Sequence, residues 1–256
     1  MKQRDVYHFW ELLWEMTEKE LRARYKHTVF GFLWLVANPL LQMMVIGFIF
    51  TFLMKEPVKH YYYYLFLGLL VWNFFSTSLL KATPSVVFER SLIKKAFFPR
   101  AVIPTSIVLS SFVHFIIAFM LLLIPTYFLH TFSAVTIPYT LCALVLLITF
   151  TTTLSLLTCA LNVRFRDINF FTQALLILWF YATPIVYSFN QIPRNLLWVW
   201  RFNPLTSVLQ LLQHALLGAP APGPAMLISN SLVILCIALV GIRTFQSESK
   251  TFDDWL

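Results

Sequence analysis

The chain has 256 residues, of which 59% are hydrophobic, 17% aromatic and only 12% charged. That much apolar surface does not fit inside one water-facing core without leaving large exposed patches, so an ordinary soluble domain is excluded and a polytopic membrane protein is expected. The formal net charge of +8 comes without the solvated basic face and interleaved aromatics that nucleic-acid binding needs, so no nucleic-acid partner is expected.

The amino terminus has no early apolar core followed by a small-residue cleavage site, so no cleavable signal peptide is expected. From Val6 to Tyr25, the residues Val6, Phe9, Trp10, Leu13, Met16 (or Thr17) and Leu21 return near helical period. Glu15 with Lys19, Glu18 with Arg22 and Glu20 with Arg24 place an acid one turn before a base. Residues 1–29 therefore read as a cytoplasmic amphipathic helix along the membrane surface, its Trp and Phe side at the headgroup boundary. Such a helix is either a plain anchor or an element that slides or tilts to admit a bulky lipid-linked substrate.

A spanning helix needs about 20 mostly apolar residues. Runs of that kind cover residues 30–54, 61–80, 101–129, 138–162, 168–188 and 225–243, which predicts an all-α protein with six spans in one transmembrane domain, residues 1–256. The stretch "HYYYYLF" at the start of the second span reads as an interfacial aromatic belt. No Asp, Glu, Lys or Arg lies in the middle of any span, and only His114 is ionisable near a span centre. Proton- or sodium-driven pumping therefore has little to work with, and His114 is expected to bond to a neighbouring helix. In the fourth span, Thr149, Thr151, Thr152, Thr153, Ser155 and Thr158 are too polar to face lipid together; helix packing is the first reading and a watery conduit the second. Cys142, Cys159 and Cys236 all sit in apolar runs at spacings that fit neither a metal site nor a disulfide framework, so they read as packing residues.

Between the last two spans, residues 190–218 hold Arg194, Arg201, Asn203, Gln210, Gln213 and His214, too much polarity for a lipid-facing helix. An external re-entrant helical hairpin packed on protein is expected there. Of the 19 Lys and Arg residues, fifteen fall in segments 1–29, 81–100, 163–167 and 243–256. By the positive-inside rule both termini are then cytoplasmic. No G-x-x-x-x-G-K-[ST] loop exists: Gly218 and Gly223 have the spacing, but Pro224 follows. Any nucleotide energy must come from a partner protein.

Leu21, Arg24, Tyr25, Gly31, Leu33, Trp34, Pro39, Leu40, Phe50 and Lys55 together resemble the R-Y…L-G-x-L-W…P-L signature of type-2 ABC exporter permeases that carry O-antigen, capsule and teichoic-acid polysaccharides. Pro184, Ile185, Tyr187, Ile192, Pro193, Asn203, Pro204 and Leu205 are similar to that family's P-I-x-Y…I-P…N-P-L segment. Phe30 stands where the family usually has Leu before the Gly, and His214 where an Arg is common near the end of the external hairpin. The resemblance implies a homodimer in the bacterial inner membrane, paired with two copies of a cytoplasmic ATP-binding subunit that holds the ATP and Mg. This chain itself would bind no cofactor and catalyse no covalent step. A small-molecule efflux permease of the same superfamily is the alternative; a membrane-embedded glycosyl- or acyltransferase would need a catalytic carboxylate or His cluster that is not visible.

The resemblance also implies a cytoplasmic coupling helix between the second and third spans, for which residues 88–98 are the candidate. In a helix there, Leu92, the Lys95 stem and Phe88 share a side, with Arg90 and Lys94 flanking and Glu89 and Phe97 completing the segment; Pro99 ends it. By residue type alone these cations would serve equally to bind anionic lipid. The link at 163–167 brings Arg164, Arg166 and Asp167, which are expected to pair with one another or cap the fifth helix, with ATPase contact as the second reading. Lipid-linked polysaccharide has flat sugar faces, so aromatic and weakly polar side chains are expected along its path. The candidates are Tyr25, Trp34, Asn38, Trp179, Tyr181, Tyr187, Trp198 and Trp200, each of which fits helix packing or an interfacial belt as well.

Overall fold

The computed structural model describes residues 3–25, 30–53, 60–95, 98–128, 134–189, 192, 195 and 197–255. Among them every regular element is helical: α1 (Gln3–Tyr25), α2 (Trp34–Leu53), α3 (Tyr61–Ala82), α4 (Ser85–Phe88), α5 (Arg90–Lys95), α6 (Val102–Phe128), α7 (Ile137–Arg164), α8 (Asp167–Tyr181), α9 (Leu197–Arg201), α10 (Pro204–Leu217), α11 (Pro224–Glu248) and α12 (Phe252–Trp255), with three short 3-10 turns. Among the described residues five helices, α2, α3, α6, α7 and α11, are long and apolar enough to cross a membrane. The fifth predicted span, 168–188, instead holds the 15-residue α8, about 22 Å long at 1.5 Å per residue. It falls short of a bilayer core of about 30 Å.

Pro184 supplies the reason for that early stop. Proline disfavours helical backbone at the residue before it, here Thr183, and the chain runs on as an irregular segment through Ser188. Irregular backbone survives inside a bundle only if its carbonyls are satisfied. The Tyr64 hydroxyl lies 3.1 Å from the Pro184 carbonyl and 2.9 Å from that of Tyr187, and the Tyr61 hydroxyl donates to the Val186 carbonyl at 3.0 Å. Two members of the predicted aromatic belt therefore serve as internal donors; Tyr62 keeps an exposed face.

α3 forms the axis of the bundle, in contact with α2, α6, α7, α8 and α10. Phe75 at its centre stacks on Phe150 with ring centroids 5.4 Å apart and meets Trp179 edge-on at 5.3 Å. α10 is buried along nearly its whole length against α3, α7 and α11. It opens with Asn203 as N-cap and Pro204 in the first turn, and closes at Gly218, whose φ of 66° an L side chain adopts only under strain. His214 sits just inside that end, its Nδ1 2.7 Å from the Ala219 carbonyl oxygen. α7 and α11 approach so closely at Gly241 that a Cβ there would stand 2.5 Å from the Thr153 carbonyl oxygen. Thr151 and Thr153 of α7 bond back to Leu147 and Thr149, each at 2.8 Å; Thr158 bonds back to Ser155 at 3.3 Å and also meets the Thr83 hydroxyl at 2.9 Å. Cys159 is buried with its Sγ 3.7 Å from the Ser85 hydroxyl, whereas Cys142 and Cys236 are exposed.

A second apolar cluster closes one end of the bundle. Leu13 and Met16 of α1, Val86 of α4, Ile93 of α5, Val163 of α7 and Phe252 of α12 are all buried in it. The apolar stripe of α1 thus faces protein: Leu13, Met16 and Thr17 pack inward, while Trp10 and Trp14 point outward and are 61% and 64% exposed. Phe9 also packs against the cluster, a correction to the expected headgroup-facing Phe, whereas Trp10 keeps an outward face. Of the three predicted charge pairs, Arg22 and Glu18 form theirs; Lys19 turns away to Glu89, and Arg24 reaches α6.

Candidate functional site

Between the second and third long helices, the described part of the expected helix at 88–98 is α5 (Arg90–Lys95), set off from α4 (Ser85–Phe88) just before it; residues 96–97 lie outside the described residues. Glu89 separates the two helices with φ −90° and ψ 22°. Proline at position 84 starts α4 early, and the Ser85 hydroxyl bonds back to the Ala82 carbonyl at 2.7 Å, so the turn register is set before Phe88 is reached. The segment is anchored by Ile93, which is 5% exposed, a residue the expected Leu92–Phe88–Lys95 ridge did not include. Leu92 is half-buried against the cluster, while Phe88 is 77% exposed. Arg90, Lys94 and Lys95 are exposed, Glu89 is half-buried, and Phe97 lies outside the described residues.

The link between α7 and α8 sits at the same end, since Val163 shares the cluster with Val86 and Ile93. Arg164, Arg166 and Asp167 are all exposed, and among the described residues no ion pair joins them. The Arg164 guanidinium lies instead over the rings of Phe165 and Trp255, at 5.3 and 5.5 Å, an arrangement that suits its delocalised charge. Asp167 occupies the first turn of α8, near the positive end of the helix dipole, and the N-cap is Arg166, whose side chain makes no cap bond.

The aromatic candidates divide into exposed and bonded groups. Trp179 donates its indole N–H to Asn203 Oδ1 at 3.0 Å and packs on Phe75 and Phe150. Asn203 in turn donates to the Ala182 carbonyl at 3.0 Å and to the Thr183 hydroxyl at 2.9 Å. Trp200 donates to the Tyr187 hydroxyl at 3.0 Å, and Tyr187 to the Tyr181 carbonyl at 2.7 Å. These bonds tie the irregular segment to α9 and α10. Tyr181 and Trp198 are exposed, and the side chain of Tyr25 lies outside the described residues.

Trp34 and Asn38 of α2 line a cavity of about 430 Å³ bounded by α1, α2, α3 and α6. Arg24 closes one side of it. Its guanidinium reaches His114 Nδ1 at 2.7 Å and the Ser111 hydroxyl at 3.5 Å, the neighbouring-helix bond expected of His114. A guanidinium only donates, so Nδ1 is the acceptor. Lys81, in the last turn of α3, lines the same space. Farther along, Asn73 donates to Gln42 at 3.1 Å and Gln42 to Asn38 at 3.3 Å. Reading the sequence by runs did not place Arg24, Lys81 and Asn73 together: two of them lie at the edges of apolar segments, and only the packing of α1 on α6 brings them to one space.

Residues 11–217 match the ABC-2 type transporter family. The chain is similar to an O-antigen export system permease protein, RfbA, of Myxococcus xanthus, with 30% identity over 261 aligned positions that cover 97% of this chain and 96% of the relative. A protein of the same name from Klebsiella pneumoniae is 34% identical over 206 positions, 79% of this chain and 78% of that one. With its all-helical architecture, its several membrane-crossing helices and a family match that covers most of its length, the chain belongs to the ABC-2 type transporter family.

Proposed function

We propose that this chain is the permease subunit of an ATP-driven exporter that moves a lipid-linked, O-antigen-like polysaccharide across the bacterial cytoplasmic membrane. The observation that carries this reading is the end-to-end similarity to proteins named as O-antigen export permeases. Two copies would enclose the pathway, and a separate cytoplasmic subunit would bind ATP and Mg. Both termini and the α4–α5 segment would face that subunit, in accord with the positive-inside count.

The geometry supports a route for the force. Exposed Arg90, Lys94 and Lys95 are available to carboxylates of the ATP-binding subunit, with Phe88 as the apolar contact. A displacement of α5 acts through buried Ile93 on a cluster shared with α1, α7 and α12. Close-packed interiors transmit such displacements because they deform little. Arg164 and Arg166 lie at the same end as a second contact. Trp34, Asn38 and Tyr181 offer exposed ring faces and amides to a sliding glycan, while Trp179, Tyr187 and Trp200 hold the irregular segment in shape.

A strain lacking this chain tests the reading. Lipid-linked polymer is expected to accumulate on the cytoplasmic face and to return to the outer face on complementation; normal surface polymer in the deletion strain would contradict it.

A further inference from the structure

The cavity between α1, α2, α3 and α6 has a division of chemistry that the coupling scheme leaves unused. We propose that it recognises the headgroup of a lipid-linked sugar, Arg24 and Lys81 taking the phosphate and Asn73, Asn38 and Trp34 the first sugar ring. The proposal rests on the exporter reading for its cargo class.

The cationic end comes first. Arg24 and Lys81 both line the cavity, and among the described residues that line it there is no Asp or Glu. The neighbouring acids are Glu20, one turn before Arg24 on α1, and Glu89, already paired with Lys19; both line an adjoining recess with Lys81. Hydrogen bonds to His114 and Ser111 hold the guanidinium against α6 at the edge of the cavity. Half-buried Arg24 and exposed Lys81 meet an apolar wall of Leu70, Phe74 and Phe115 across the cavity, and cations set against apolar surface in a membrane protein mark paths for charged ligands. A phosphate suits this pair, since Arg binds its oxygens in a fork and Lys as a point charge.

The opposite end is neutral and rich in hydrogen-bonding groups. Asn73 lies eight residues before Lys81 on α3, about 12 Å along the axis, with Thr77 between them on the same wall. The amide chain from Asn73 through Gln42 ends on exposed Asn38. Pro39 lacks an N–H, so the Leu35 carbonyl has no partner four residues on; both residues line the cavity. Trp34, 50% exposed, supplies a ring face against which a sugar can stack. Phosphate donors at one end and amides with an aromatic face at the other match a phosphate ester that continues into a sugar.

An ordinary anionic phospholipid shares the phosphate chemistry and lacks the sugar, so the test compares the two. The full-length chain in phosphatidylcholine nanodiscs is titrated with polyprenyl diphosphate glucoside, plain polyprenyl diphosphate and phosphatidylglycerol, with binding read by native mass spectrometry. The glucoside is expected to bind at least tenfold more tightly than phosphatidylglycerol. Lys81→Gln is expected to weaken both diphosphates about tenfold and Lys81→Arg to retain them. Asn38→Ala, on an exposed side chain that folding does not need, is expected to weaken the glucoside alone. Equal binding of phosphatidylglycerol would reduce the cavity to a general lipid-headgroup site, and unchanged affinities in Lys81→Gln and Asn38→Ala would overturn the proposal. Glucoside binding as expected without any polymer export when the ATP-binding subunit is present would contradict the exporter reading and leave the site standing.

Discussion

Lys19 Nζ lies 2.8 Å from Glu89 Oε1, joining the amphipathic α1 to the residue at which α4 gives way to α5. The two side chains are 57% and 31% exposed, so the pair adds less than about 1 kcal/mol to stability. Its consequence is directional: it links the helix beside the cavity to the segment proposed to contact the ATP-binding subunit. Glu89→Lys is expected to lower polymer export several-fold without a change in thermal stability, and the swapped pair Lys19→Glu with Glu89→Lys to recover part of it. Export rates for the double-mutant cycle decide the matter; additive effects would show that the contact transmits nothing.

Phe88 and Ile93 separate docking from anchoring. Ile93 is 5% exposed within the end cluster, whereas Phe88 is 77% exposed. Ile93→Ala is expected to destabilise the protein by about 2 kcal/mol or more through a cavity, while Phe88→Ala stays within about 0.5 kcal/mol of wild type. Phe88→Ala should nevertheless lower ATP turnover in the assembled transporter. Thermal unfolding in detergent, set beside turnover, checks both; a Phe88→Ala protein with full turnover removes this side chain from the docking contact.

Asn203 holds three elements at once. Its side chain bonds the Trp179 indole, the Ala182 carbonyl and the Thr183 hydroxyl, and caps α10 through the Leu205 N–H at 3.2 Å. Asn203→Ala leaves several buried groups unsatisfied and is expected to cost about 3 kcal/mol. Faster hydrogen exchange in the 182–189 segment should accompany the loss. Unchanged exchange there would mean that the tyrosines of α3 suffice.

Gly241 sets the approach of α7 to α11. A Cβ at that position would stand 2.5 Å from the Thr153 carbonyl oxygen, a backbone atom that cannot swing aside. Gly241→Val is expected to cost about 1–3 kcal/mol by overpacking, read as a lower unfolding temperature. Wild-type stability would show that the two helices separate freely.

Long apolar runs were legible because length and hydropathy alone decide membrane crossing, so α2, α3, α6, α7 and α11 appear close to where periodicity and composition put them. α8 was overextended because the run through Ile185 and Val186 is as apolar as a span, and only the pairing of its carbonyls with Tyr61 and Tyr64 lets the chain leave the helix at Pro184. The end of α5 shows a similar limit. Leu92 and Ile93 are adjacent and equally apolar, and which of them is buried depends on the register fixed upstream by Pro84 and Ser85. Arg24 and His114 stand ninety residues apart and meet only because α1 lies along α6.

The central claim is that this subunit provides a conduit and a companion provides the motor. Reconstitution of the purified chain into vesicles, with and without its ATP-binding subunit, measures this most directly, with ATP turnover and polymer movement read together. The account predicts neither activity from the chain alone and both from the assembly. ATP hydrolysis or uphill polymer transport by the chain alone would contradict it.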